Sequence, residues 1–246
     1  MARFGAKFRN AATGSVQIDD LYANMALLSK SSHTVGASVG NDLRNTTVTF
    51  TATDMPTIAF SCTAPTFLAW VVRDNSANTW AFTFSTYTTN ASLALTVYRF
   101  AEPPELGPGW GIRIKRNGVV KYDSRHKYAS IPASLRGTFD TSSEIGAAGP
   151  STTLASGKTY ALMMGSRTGR NTRVVTPVSG AQNGYNDNMS SAALAAAING
   201  NAITSRYCLT QFSTTFFPVP PSPPAPSGYS YNQRQYSWAI LDVTNF

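Results

Sequence analysis

Residues 110–128 read W-G-I-R-I-K-R-N-G-V-V-K-Y-D-S-R-H-K-Y. Trp110, Ile112 and Ile114 alternate with Gly111, Arg113 and Lys115, the period of a strand with one apolar and one charged face. Asn117-Gly118 marks a turn. A two-residue loop would pair Ile114 with Lys121 and Ile112 with Asp123, mixing apolar and charged side chains on one face. A three-residue loop, Arg116-Asn117-Gly118, pairs Ile114 with Val120 and Ile112 with Tyr122. It leaves Arg113, Lys115, Val119 and Lys121 on the other face, with Gly118 in the left-handed position of a type I turn and bulge. A one-residue slip exchanges faces, so the pattern predicts the three-residue loop.

The chain opens on a second copy. Phe4-Gly5-Ala6-Lys7-Phe8-Arg9 parallels residues 110–115, and Gly14-Ser15-Val16-Gln17-Ile18-Asp19 parallels residues 118–123. The loop from Asn10 to Gly14 is longer but also odd-numbered, which predicts Phe8 opposite Val16 and Ala6 opposite Ile18. Asp19 and Asp123 hold the same place in the two hairpins, which suggests a turn or register role.

F-G-x-x-x-x-N followed by G-x-V-Q-I-D, and W-G-I-x-I followed by V-x-Y-D-S-R-x-K-Y, resemble structural tail proteins of tailed bacteriophages, among them minor tail proteins of the tail tip and baseplate. The resemblance spans residues 1–25 and 95–130 and implies a virion part rather than a catalyst.

Composition fits that expectation. Charged residues are 13% of the chain, against about 25% in ordinary domains. Low charge suits surfaces that form permanent contacts. The net charge of +8 admits DNA, anionic polysaccharide or an acidic protein as neighbours, or simply a solvated surface with a basic bias. No signal peptide is visible and no apolar run is long enough for a membrane helix. The expected setting is therefore a virion tail, assembled from protein made in the host cytoplasm, without membrane insertion or specific nucleic-acid binding. Cys62, on a strand pattern with Ile58 and Phe60, reads as a buried thiol; a bond to Cys208 would cross the two halves and is not expected in a reducing cytoplasm.

Strand patterns follow at Val48–Ala52, Ile58–Cys62, Phe67–Val72, Trp80–Phe84 and Leu93–Val97. Phe67–Val72, apolar on both faces, reads as central. Residues 21–29 read as a strand or a helical turn, 31–45 as a loop and 132–157 as a long connection. The stretch A-E-P-P-E-L-G-P-G, residues 101–109, interrupts any ladder and reads as a linker. The predicted fold is all-β: two β-sandwich-like domains, 1–100 and 110–246, each opened by a similar hairpin.

Tyr160, Leu162 and Met164 predict a strand in the second half, with another around Val174-Val175. Residues 190–198, S-S-A-A-L-A-A-A-I, predict one short helix, capped by Asn188 or Ser190 and ended by Asn199-Gly200. Residues 203–212 and 236–243 read as strands flanking a Pro-rich arm, 217–230. Its prolines favour a stiff polyproline II segment. Pro218, Pro220, Pro221, Tyr229 and Tyr231 are the candidate subunit-contact residues, because a stiff arm loses little entropy on docking; a rigid surface loop is the plain alternative.

Catalytic chemistry is sparse. His33 and His126 are the only histidines. Neither has metal-ligand spacing, and His126, near Asp123 but set among cations, is a poor candidate for a catalytic base. Asp140 and Glu144 lack aromatic sugar platforms for a glycosidase role. Arg167, Arg170 and Arg173 surround a turn without the aromatic neighbours of a nucleic-acid groove. The expectation is a non-enzyme without cofactor or metal, binding other tail proteins and copies of itself in rings. A receptor-binding module for host surface polysaccharide is the alternative, and a capsid decoration protein the second.

Overall fold

The computed structural model describes residues 7–9, 16–19, 25–40, 42–140, 145–166, 168–178, 184–217 and 228–246; segments 7–9, 16–19, 172–178, 184–189, 211–217 and 228–232 are described by backbone alone. The fold is all-β. A first hairpin joins β1 (Lys7–Arg9) and β2 (Val16–Asp19). There follow β3 (Ala26–Thr34), β4 (Ser38–Gly40), β5 (Leu43–Thr51), β6 (Thr57–Ser61), β7 (Thr66–Asp74), β8 (Thr79–Tyr87) and β9 (Ala94–Ala101). The second hairpin is β10 (Arg113–Arg116) and β11 (Val119–Asp123). After it come β12 (Ser130–Thr138), β13 (Thr152–Thr153), β14 (Tyr160–Ser166), β15 (Gly169–Val178), β16 (Gly184–Asn199), β17 (Ala202–Phe217), β18 (Gly228–Gln233) and β19 (Gln235–Asp242).

Two sheets carry the core. One runs β12-β19-β14-β6-β9-β3; the other runs β13-β17-β16-β7-β8-β5-β4, with β15 on β16 and β18 on β15. Phe60, Leu95, Val97, Leu162, Trp238 and Ile240 of the first meet Val48, Phe82, Phe84, Leu194, Ile198 and Ile203 of the second in one buried cluster. Phe60 and Phe84 touch edge to face across it, with ring centroids 5.4 Å apart. This face-to-face packing of alternating apolar side chains is a β-sandwich.

The two expected halves, 1–100 and 110–246, each supply strands to both sheets. In each sheet the strands before residues 101–109 and those after them form two contiguous sets that meet at one seam: β14 pairs β6 at Leu162 and Phe60, and β16 pairs β7 at Ala196 and Thr66. Each half alone would leave an open strand edge in both sheets, and buried residues of both halves share one core cluster. The 101–109 stretch is no free linker either, as its contacts with the second hairpin show below.

The predicted helix at 190–198 is a strand, the C-terminal part of β16, and no helix occurs among the described residues. Alanine favours a helix locally, but this strand is covered on both faces. Leu194, Ala196 and Ile198 face the core between the sheets, while Ala193 and Ala195 pack with Phe67 and Cys208 on the other side. Small side chains let neighbouring chain approach both faces. Asn199-Gly200, read as a helix stop, belongs to a hairpin: Asn199 pairs with Ala202, and Gly200 takes φ of 59° at the first loop position, as a type II′ turn requires.

Residues 31–45 and 132–157, read as connections, contain parts of β3, β4, β5 and β12, and β13. Between β3 and β4, Gly36 lies so close to β5 that a Cβ would fall 1.8 Å from the Asn45 carbonyl oxygen. Gly36→Ala is expected to lower stability by about 1–3 kcal/mol through this backbone clash, measured as a fall in the denaturant midpoint with unchanged slope. Cys62 and Cys208 are buried free thiols.

The hairpin loop also differs from expectation. Arg116 pairs with Val119, leaving a two-residue Asn117-Gly118 loop with φ of 49° and 80°, a type I′ turn. The register is then shifted by a bulge between Ile114 and Lys115, which brings Ile114 opposite Tyr122 and Arg113 opposite Asp123. The first hairpin repeats this: Lys7 opposes Asp19, Phe8 opposes Ile18 and Arg9 opposes Val16, with the shift between Phe8 and Arg9. The bulge, and not an odd loop, resolves the facing problem read in the sequence.

Candidate functional site

The second hairpin is too small to be stable as two strands alone. What fixes it is a polar centre at Asp123, whose side chain is only 1% exposed. The Asp123 carboxylate accepts hydrogen bonds from Arg113 Nε at 3.0 Å, and from Arg125 Nε at 2.9 Å and Arg125 Nη2 at 2.6 Å. The Arg125 backbone amide adds a bond of 3.1 Å. Arg125, with its backbone amide and Arg113, holds the Asp123 carboxyl well below its ordinary 3.8, against the opposing effect of burial. The Tyr128 hydroxyl accepts from the Asp123 amide at 2.6 Å and donates to the Asp123 carbonyl at 3.0 Å.

The two arginines also reach back to the 101–109 stretch. Arg113 Nη2 donates to the Leu106 carbonyl at 2.6 Å, and Arg125 Nη1 to the Gly107 carbonyl at 2.8 Å. Glu105 pairs with Arg113 and Lys115, Glu102 pairs with Lys121, and His126 Nε2 lies 2.8 Å from the Pro104 carbonyl oxygen. The apparent linker is thus strapped to the hairpin. The strap and hairpin join the six-stranded sheet where Leu27 donates to Lys127 and Ala129 donates to Met25.

This rigid piece presents apolar surface to solvent. Trp110 is fully exposed and Ile112 is 61% exposed, with Val119 also exposed. The sequence placed Trp110 and Ile112 on the apolar face of a strand; β10 begins only at Arg113, and nothing covers that face among the described residues. An exposed tryptophan beside aliphatic side chains on a fixed scaffold has the makeup of an interface anchor.

Of the contact residues read from sequence, Pro218, Pro220 and Pro221 lie outside the described residues. Tyr229 and Tyr231 lie on β18, with Cα atoms opposite Thr172 and Asn171 of β15. β15 pairs in turn with β16, and the β16–β17 ladder continues to Tyr185 and Phe217, past the strands of the sandwich. The Pro-rich stretch therefore joins β17 to β18 on a four-stranded ribbon, and β18 is its edge among the described residues. Such an edge offers a row of backbone donors and acceptors.

The catalytic candidates stay apart. His126 turns to Pro104, so Asp123 has no imidazole partner and serves the two arginines. Glu144 and Arg167 lie outside the described residues, so the Asp140–Glu144 pair and the full arginine cluster do too; Arg170 sits over the Tyr207 ring at 5.8 Å. Among the described residues no three His, Cys, Asp or Glu side chains gather into a metal set, and no helix is long and apolar enough to cross a membrane.

No protein family, curated protein or solved structure matches the chain.

Proposed function

We propose that this chain is a structural protein of a bacteriophage tail, near the tip or baseplate, and that it acts through contacts with neighbouring tail subunits and copies of itself. The observation that carries this reading is the second hairpin: a fully exposed Trp110 and a largely exposed Ile112 on a piece whose shape is set by the ion pairs of the buried Asp123 carboxylate. A preorganised apolar anchor loses little entropy on docking, and solvent exposure of so large a ring is unfavourable until a partner covers it. The edge strand β18, with Tyr229 and Tyr231, supplies a second surface able to extend a partner's sheet.

Immunogold electron microscopy of tailed particles with antibody to this chain tests the reading. Label at the distal tail end is the expected result; label over the head would assign the chain to capsid decoration, and intact particles without label would overturn a virion role. Trp110→Ala is expected to change the stability of the isolated chain by no more than about 0.5 kcal/mol, as for an exposed site. The same substitution should abolish self-association measured by light scattering and incorporation into particles. A stability loss without loss of association would show that Trp110 serves the fold instead.

A further inference from the structure

A cavity of about 490 Å³ opens at one end of the sandwich, between the loop from β5 to β6 and the end of β9. Arg99 lines it, and this guanidinium is under-bonded. Its Nε atom is buried without a hydrogen-bond partner. Its Nη2 makes a long bond of 3.3 Å to the Thr51 carbonyl, and its carbon lies 5.6 Å from the centre of the Phe50 ring. No carboxylate pairs with it among the described residues. Arginine carries five donors in a planar fork, and the outer nitrogens of this one are open to solvent. A ligand carboxylate would supply what this fork lacks.

The rest of the lining narrows the ligand. Asp54 and Glu102 stand on the wall, and Met25, Met55 and Phe100 supply apolar surface. Glu102 is engaged by Lys121 at 3.1 Å, which leaves Asp54 as an exposed acceptor. A small inorganic anion would leave most of the cavity unfilled. A fatty acid would set its chain against Asp54. A sugar acid matches every part: a carboxylate for Arg99, hydroxyl donors for Asp54, and a C–H face for the methionines and Phe100. The volume lies within the usual range of about 300–1,000 Å³ for small-ligand sites.

We infer that this cavity binds a carboxylate-bearing sugar unit of the uronic-acid kind, with Arg99 on the carboxylate and Asp54 on ring hydroxyls. Trp110 and Ile112 do not line the cavity, so particle labelling and ligand titration succeed or fail separately.

The test titrates the full chain with D-glucuronate, D-galacturonate and a galacturonate tetrasaccharide, with D-glucose, acetate and glycine as controls. Binding is read by saturation-transfer NMR and by ¹³C-methyl signals of the methionines. The expected result is saturable binding of a uronate with shifts confined to Met25 and Met55. Monomer binding alone would point to a free sugar acid, and tetrasaccharide binding to a unit within a polysaccharide; both support the site. Arg99→Lys keeps the charge but not the fork and should weaken binding by about tenfold to a hundredfold, with an unchanged unfolding midpoint as the control for folding. Asp54→Asn, at an exposed position, should weaken uronates and leave acetate unaffected. The proposal is overturned by absence of saturable uronate binding, by glucose, acetate or glycine binding as tightly, or by full affinity in Arg99→Lys.

Discussion

Leu162→Ala is expected to destabilise the entire chain by about 2–5 kcal/mol. Leu162 is fully buried and sits at the pairing of β14 with β6, so it packs into a cluster drawn from both sheets and both sides of the 101–109 stretch. Removing its side chain leaves a cavity in the cluster it shares with Phe60, Phe84 and Trp238, and the loss reaches the strands that build that cluster. Hydrogen exchange in rising denaturant checks this. Amides of β9 and of β19 should lose protection together, at a lower midpoint than in the parent chain. If β19 opened while β9 kept its protection, the halves would be separable units and the shared sandwich would be refuted.

The second large effect is expected at Asp123→Asn, and it is local. The amide keeps the shape but loses the charge that holds Arg113 and Arg125, leaving two guanidiniums facing each other at a partly covered site. Protection of residues 102–128 should fall toward that of an unsupported hairpin, while β9 and β14 keep theirs. Acid should do the same to the parent chain. The folded carboxyl titrates below its ordinary 3.8, so its contribution is fully present above that value and is lost as pH falls through the lower folded value. Protection of 102–128, taken relative to the intrinsic exchange rate at each pH, should therefore fall below about pH 4 in the parent and fall less in Asp123→Asn, where only Glu105 is left to titrate in that pairing. An identical acid response in both would assign the loosening to another group.

These two sites also mark the limits of the sequence. β5, β6, β8 and β9 were legible because polar and apolar residues alternate along them, which is the direct imprint of a sheet face on a chain, and β7 as a run apolar on both faces. β16 was not: a strand covered on both faces loses its alternation, and alanine's local preference then points to the wrong element. The joining of the two halves through both sheets was hidden for another reason. A Pro- and Gly-rich stretch announces a break in the ladder, but not whether the strands beyond it return to the same sheet.

For the sites, Asp123 was visible as a repeated position with a register role, whereas its partners Arg113 and Arg125 looked like ordinary surface charge. Trp110 was legible as apolar but not as exposed, since alternation says which residues share a face and not whether anything covers it. Arg99 left no signal, because its cavity is assembled from residues far apart along the chain.

The two buried cysteines have a practical consequence. Burial pushes the Cys208 thiol up to about 11, so almost none of the reactive thiolate exists at neutral pH, and Cys62 is equally enclosed. The folded chain is thus a silent background for maleimide chemistry. A single probe attached through Trp110→Cys would report on the exposed hairpin alone, and any slow reaction of the native thiols would time the opening of the sandwich itself.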